Sequence, residues 1–162
     1  MYKLIITVRS TLLVFLTHKL ALPLLQLIRK PELFPFTVTD LKNLPTGTLG
    51  HELIHFIEEK DLKLLPYYAK HDIKHLLLEY DTTDCGEVCL QCFMLGNGHV
   101  SFPVISTVLY GVVTMTEYWK HFAKAFKRGQ SCISIAQWNW IEIIPLPTKT
   151  LREKINENKK LS

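Results

Sequence analysis

The chain has 162 residues, 48% of them hydrophobic and only 21% charged, which excludes a disordered tail and supplies enough apolar matter for one globular core. Its 19 basic and 15 acidic residues leave a net charge of +4. That excess is uneven, because Lys3, Arg9, Lys19, Arg29 and Lys30 meet no acid before Glu32, while the remainder is close to neutral.

A basic, apolar leader over residues 1–31 points to contact with an anionic membrane surface rather than with nucleic acid, with an ordinary core helix as the alternative. The same charges interrupt every apolar window before it reaches the roughly 18 residues of a membrane span. Leu12 to Leu16 is a short apolar run with no small-x-small cleavage site after it, so a signal peptide is not expected. The expected location is cytoplasmic, at the cytosolic face of a membrane, with a homodimer as the expected assembly. Cys85, Cys89 and Cys92 crowd into eight residues with helical character, where disulfide geometry is hard to meet, so they and Cys132 are expected as thiols.

In chain order, a helix is expected over Leu4 to Ile28, kinked or ended by Pro23. Pro31, Pro35 and Pro45 mark a loop. Thr48 is a plausible cap for a helix through Lys60, with Leu49, Leu53, Phe56 and Ile57 on one stripe. Pro66 opens a helix to about Tyr80. Asp81-Thr82-Thr83-Asp84 is rich in turn and cap formers, and the next helix runs from about Asp84 to Leu95, stopped by Gly96-Asn97-Gly98. A long helix fits Pro103 to Lys127. Cys132 to Pro147 is β-branched and carries Trp138 and Trp140, leaving helix and strand both open. Thr150 to Asn158 closes as a short charged helix. The whole reads as all-α, a single helical domain over 1–162 of about six helices, with a metal site between two adjacent ones.

The chemistry concentrates in His71-Asp72-Ile73-Lys74-His75, followed after eleven residues by Glu87. Residues four apart share a helix face, so both imidazoles can address one divalent ion, with Asp72 about 100° round the same edge. Glu87 comes from the first turn of the next helix and can close the coordination sphere across the turn. Imidazole with carboxylate suits zinc or a non-haem iron-like ion better than magnesium. A solvent-facing histidine pair is the plain alternative. On projection, Ile73, Leu76, Leu77 and Tyr80 face the core, while the histidines fall beside Asp72, Tyr67, Tyr68 and Leu78. Cys85, Cys89 and Cys92 fall opposite Glu87 and read as small buried hydrophobes.

Upstream, His51-Glu52-Leu53-Ile54-His55 matches HExxH, the pattern of a zinc metalloprotease. Projection puts His51, His55 and Glu58 opposite the apolar stripe, and no Met-turn or HxxGxxH extension follows, so this is the remote alternative.

Leu44-Pro45-Thr46-Gly47-Thr48-Leu49-Gly50, His71-Asp72-x-x-His75 with eleven residues to Glu87, Lys127-Arg128-Gly129, and a tryptophan segment before Leu151-Arg152 together resemble the coenzyme Q (ubiquinone) biosynthesis protein 4 family, from about residue 40 to the end. The resemblance implies that His71, Asp72, His75 and Glu87 are the metal ligands. It also implies a mostly helical, peripheral membrane protein that holds a polyprenyl lipid near the metal and organises other quinone-biosynthesis proteins. The activity it implies is oxidative decarboxylation of a ubiquinone precursor at ring carbon one.

With that chemistry, Asp72 is the candidate for orienting a ligand or relaying a proton, and Tyr67 and Tyr68 are candidate head-group donors or ordinary half-buried tyrosines. Zinc does not change oxidation state, so a redox step needs another oxidant. A non-catalytic lipid-binding scaffold requires the same ligands. An isoprenoid or fatty tail would need a groove, for which Leu76, Leu78, Met94, Phe102, Trp119, Phe122 and Phe126 are candidates.

Overall fold

The computed structural model describes residues 33–157; apart from Thr11, residues 1–32 and 158–162 lie outside it, and with them the expected leader helix. The described residues form seven α-helices and one 3-10 turn. Among them an isolated β-bridge pairs Thr48 with Pro147, and they contain no strand.

Helix α1, Val38–Lys42, arises where the prolines suggest only loop. A capping box explains it: Thr37 N donates to Asp40 Oδ2 at 2.8 Å, and Asp40 N donates back to Thr37 Oγ1 at 3.2 Å. Helix α2, Leu49–Glu59, buries the expected Leu49, Leu53 and Ile57. Its N-terminus is satisfied in an unexpected way. The Thr48 hydroxyl turns back to donate to Pro45 O at 2.7 Å, and the Leu49 and Gly50 amides donate to Leu146 O and Ile144 O, both at 2.9 Å. The segment over 132–147 therefore forms turns that supply carbonyls to α2 rather than a helix or strand of its own. Gly50 eases the fit there, since a Cβ would come within 2.5 Å of Leu44 Cδ1 and 2.8 Å of Ile144 Cγ2 and make those methyls shift.

Helix α3 spans Ala69–Leu78, starting three residues after Pro66 because Pro66 to Tyr68 make a preceding turn, and ending at Glu79 in the left-handed region, φ 61°. Helix α4, Asp84–Gly96, is capped by Thr83, whose hydroxyl accepts from Gly86 N at 3.2 Å, and stops at Asn97 before Gly98 at φ 92°.

The long helix expected over Pro103 to Lys127 is instead two. Helix α5, Phe102–Thr114, gives way at Met115 to a 3-10 turn over Thr116–Tyr118, and α6 follows over Trp119–Ser131. The inward residues Val104, Gly111, Phe122, Ala125 and Gly129 keep one continuous period, which is why the sequence reads as unbroken. Two facts decide against a straight rod: Val112, Val113, Thr114 and Thr116 are poor helix formers, and α4, about 20 Å long, is too short to support it. Breaking at Met115, which is buried, lets both halves pack on α4. Helix α7, Thr148–Asn156, completes the fold.

The α4–α6 crossing is close enough for backbone contact: a Cβ at Gly96 would strike Phe126 O, and one at Gly129 would strike Phe93 O. Asn97 locks it. Its Nδ2 donates to Gly129 O at 3.0 Å and Ile133 O at 2.8 Å, and its Oδ1 accepts from Ile135 N at 2.8 Å.

Candidate metal centre

His71 and His75 sit one turn apart on α3, and Glu87 reaches them from the first turn of α4. Their ligand atoms form a triangle: His71 Nε2 to Glu87 Oε1 is 3.2 Å, His75 Nε2 to Glu87 Oε1 is 3.0 Å, and the two Nε2 atoms are 3.1 Å apart. Zinc with ligands at 2.0–2.1 Å in a tetrahedron needs edges of about 3.3 Å, so the three atoms accept such an ion with little movement. The His75 side chain is wholly buried, while those of His71 and Glu87 are 36% and 30% exposed. An ion held by these three side chains would keep a solvent-facing fourth position open to water or another ligand.

The burial of His75 departs from the projection, which put Ile73, Leu76, Leu77 and Tyr80 alone on the core side. Helix α3 is covered on two sides, so Ile73, His75, Leu77 and Leu78 are all buried, with Leu76 and Tyr80 at the margin. A buried imidazole needs partners, and His75 has them: Nδ1–H donates to Tyr80 O at 3.0 Å. That bond fixes Nε2 as the ligating nitrogen. Two arginines hold the Tyr80 strap in place. Arg128 Nη1 donates to Leu78 O at 2.6 Å, its guanidinium 5.5 Å from the Tyr80 ring, and Arg152 Nη2 donates to Leu76 O at 2.8 Å. Both serve carbonyls at the C-terminal end of α3, where the partial charge is negative. The sequence marks these arginines only within Lys127-Arg128-Gly129 and Leu151-Arg152; a backbone carbonyl such as Tyr80 O leaves no sequence signal.

Burial pushes the Glu87 carboxyl up, but hydrogen bonds from His71 and His75 and their charges outweigh it and hold it down at about 2. Burial pushes His75 down, and the bond to Glu87, its charge, the Tyr80 carbonyl and Asp72 together leave it raised. In the ion-free protein Glu87 therefore contributes stability above 4.5 that is lost as pH falls toward about 2, and His75 contributes stability below 6.5 that is lost as pH rises through its raised value. Ion uptake has the opposite dependence on the imidazolium, which must release its proton first. Zinc affinity, measured by competition with a chelating dye, is expected to climb through the neutral range and level off above the raised His75 value. A flat profile would remove His75 from the ligand set.

Asp72 stands outside the triangle: the atoms lying within 4.8 Å of one another belong to His71, His75 and Glu87. Burial keeps its carboxyl above the usual range against the pull of His71 and His75, with the Glu87 charge adding to the rise. Tyr67 is 54% exposed, and the Tyr68 hydroxyl is buried without a hydrogen-bond partner. An open depression lined by Phe56, Lys60, Leu76, Tyr80 and Arg152 reaches His75. Of the residues considered for a lipid tail, Leu76 lines it and the others do not. Leu78, Met94 and Phe122 are sealed in the core, whereas Phe102 and Trp119 are 66% and 52% exposed.

His51 and His55 lie side by side with tilted rings, centroids 4.7 Å apart, but among the described residues no third ligand joins them. The four cysteines form no disulfide among the described residues, and Cys89 and Cys92 pack against Met115 and Phe122, away from Glu87. Burial pushes their thiols up to about 12 and about 11, as befits inert core residues.

No protein-family model matches the chain, and no curated protein matches it. A solved structure from Nostoc punctiforme, provisionally named a ubiquinone biosynthesis protein, shares the fold: TM-score 0.62, 24% identity, covering 75% of this chain and 68% of that one. Among the described residues, no helix is long and apolar enough to cross a membrane.

Proposed function

We propose that this chain is a divalent-metal protein of quinone-biosynthesis type, which binds a prenylated aromatic precursor with its head group at His71, His75 and Glu87. The observation that carries the reading is the triangle of ligand atoms with one solvent-facing side. The likeness to the Nostoc punctiforme structure and the HDxxH-x11-E spacing add to it. Zinc fits the donor set best, and such an ion would polarise a phenolate or carboxylate oxygen and stabilise negative charge as carbon dioxide leaves. Glu87 fixes the two Nε2 atoms by its charge, and the Tyr80 carbonyl holds the His75 ring. Asp72, half-buried with its carboxyl held above the usual range, is suited to hand a proton to the ring carbon in a simple decarboxylation, where the proton takes the place of carbon dioxide. In an oxidative decarboxylation that carbon instead takes a hydroxyl oxygen from water in place of the proton and gives up two electrons, which dioxygen, reduced to hydrogen peroxide, or a flavin partner has to accept.

The exposed side chains at Phe102 and Trp119 favour a second reading, a scaffold that presents lipid to other proteins without turning it over. Thermal unfolding of the zinc-loaded protein separates the two. Under the enzyme reading, a prenylated hydroxybenzoate at a hundred times its Kd raises stability by about 2.7 kcal/mol, while a plain fatty acid does not. Equal shifts with both favour the scaffold, and no shift with either removes the lipid from the function.

A further inference from the structure

Helix α5 has its apolar face on the wrong side for a helix that only packs inward. It has no charged residue, and it meets α4 through Val104 and Gly111, where the missing Cβ makes room for the Val88 methyls. On the opposite side Phe102, Ile105, Leu109, Val112 and Val113 are 66%, 48%, 62%, 38% and 67% exposed. These positions form one stripe about 100° wide. Trp119 extends it, because its indole N–H donates to Val112 O at 2.7 Å while the ring stays exposed. Helix α6 starts at that same residue and packs inward through Phe122, Ala125 and Gly129. Its outward face carries Lys120, Lys124 and Lys127, all exposed, and the helix contains no acid. Arg128 is committed to Leu78 O.

We propose that the α5–α6 corner docks on an anionic lipid bilayer, with the α5 stripe and Trp119 entering the acyl boundary and the three lysines meeting headgroup phosphates. Charge decides the occupant. A self-complementary contact would have to satisfy the lysine row from the same surface, and between Val100 and Ser131 the sequence has four basic residues and a single acid, Glu117. An anionic headgroup layer neutralises the row, and an indole at the junction of apolar stripe and basic face is what a membrane interface selects. This surface is built from residues outside the basic leader sequence and does not depend on the metal reading.

Flotation of the full-length protein with phosphatidylcholine vesicles, with and without phosphatidylglycerol, tests it. The wild type is expected to float at least about tenfold more with the anionic vesicles, and less as salt rises. Leu109→Asp combined with Val113→Asp, and separately Lys120→Glu, Lys124→Glu and Lys127→Glu together, should each lower binding at least about tenfold while keeping the helical circular dichroism of the wild type. Should the aspartate variant not fold, the lysine variant decides alone, since its three positions are exposed. A full-length chain with Lys3, Arg9, Lys19, Arg29 and Lys30 changed to Gln should retain phosphatidylglycerol-dependent flotation. The proposal is overturned if both corner variants float like the wild type, or if neutralising the leader removes all binding. It is also overturned if the aspartate pair converts a dimer to a monomer without changing flotation, because the face then belongs to a second copy.

Discussion

Glu87→Ala is expected to weaken zinc binding by more than about a hundredfold, beyond what loss of a supporting contact costs a metal site. The carboxylate is the sole anion in the triangle, 3.0 and 3.2 Å from the two nitrogens, and without it two imidazoles 3.1 Å apart remain. His75→Ala should do the same and also destabilise the ion-free protein, since it leaves Tyr80 O without its side-chain donor and opens a hole in the core. Glu87→Gln keeps the shape and removes the charge, so it separates geometry from electrostatics. His51→Ala should leave stoichiometry at one ion per chain. Metal analysis of dialysed protein reads all four, and a loss with His51→Ala but not with Glu87→Ala would transfer the site to HExxH.

The second large effect is expected far from the metal, at Asn97→Ala. The asparagine amide satisfies the carbonyl of Gly129 inside α6 and, in the backbone just after α6, the carbonyl of Ile133 and the amide of Ile135. With each of the three abandoned groups costing about 1–3 kcal/mol, the variant should lose roughly 3–9 kcal/mol, enough to unfold much of a marginally stable domain. Urea denaturation measures it. A loss under 1 kcal/mol would mean that the Gly96–Gly129 approach, and not the asparagine, holds the two helices together.

What could be read in the sequence was what depends on near neighbours. The four-residue spacing of His71 and His75, the caps at Thr83 and Asn97 and the placement of Glu87 one turn into α4 follow from local geometry, and each stands where the spacing put it. The departures come from packing that no local window contains. Helix α5 and α6 share one hydrophobic period, and only the length of α4 reveals that the rod must break. His75 projects off the core stripe, beside Asp72, Tyr67, Tyr68 and Leu78, yet α3 is enclosed from two directions and the ring is buried. Thr48 has the composition of an N-cap, but carbonyls from Ile144 and Leu146, nearly a hundred residues later, take over that task. Asp72 is adjacent to His71 in sequence, and adjacency alone did not bring its carboxylate into the triangle.

The two arginines on the end of α3 carry a consequence for the order in which the molecule comes together. The ligands contact one another across only 4, 12 and 16 residues, whereas the anchors reach across 50 and 76. Lengthening a closing loop from 16 to 76 residues costs on the order of 1.4 kcal/mol more in chain entropy, and a ribosome adding about 5–20 residues per second delivers Arg128 and Arg152 seconds after Glu87. The α3–α4 hairpin thus has its full donor set before the parts that align it exist, and an ion taken up by the growing chain would act as its first clamp, with the arginines tightening a site already filled.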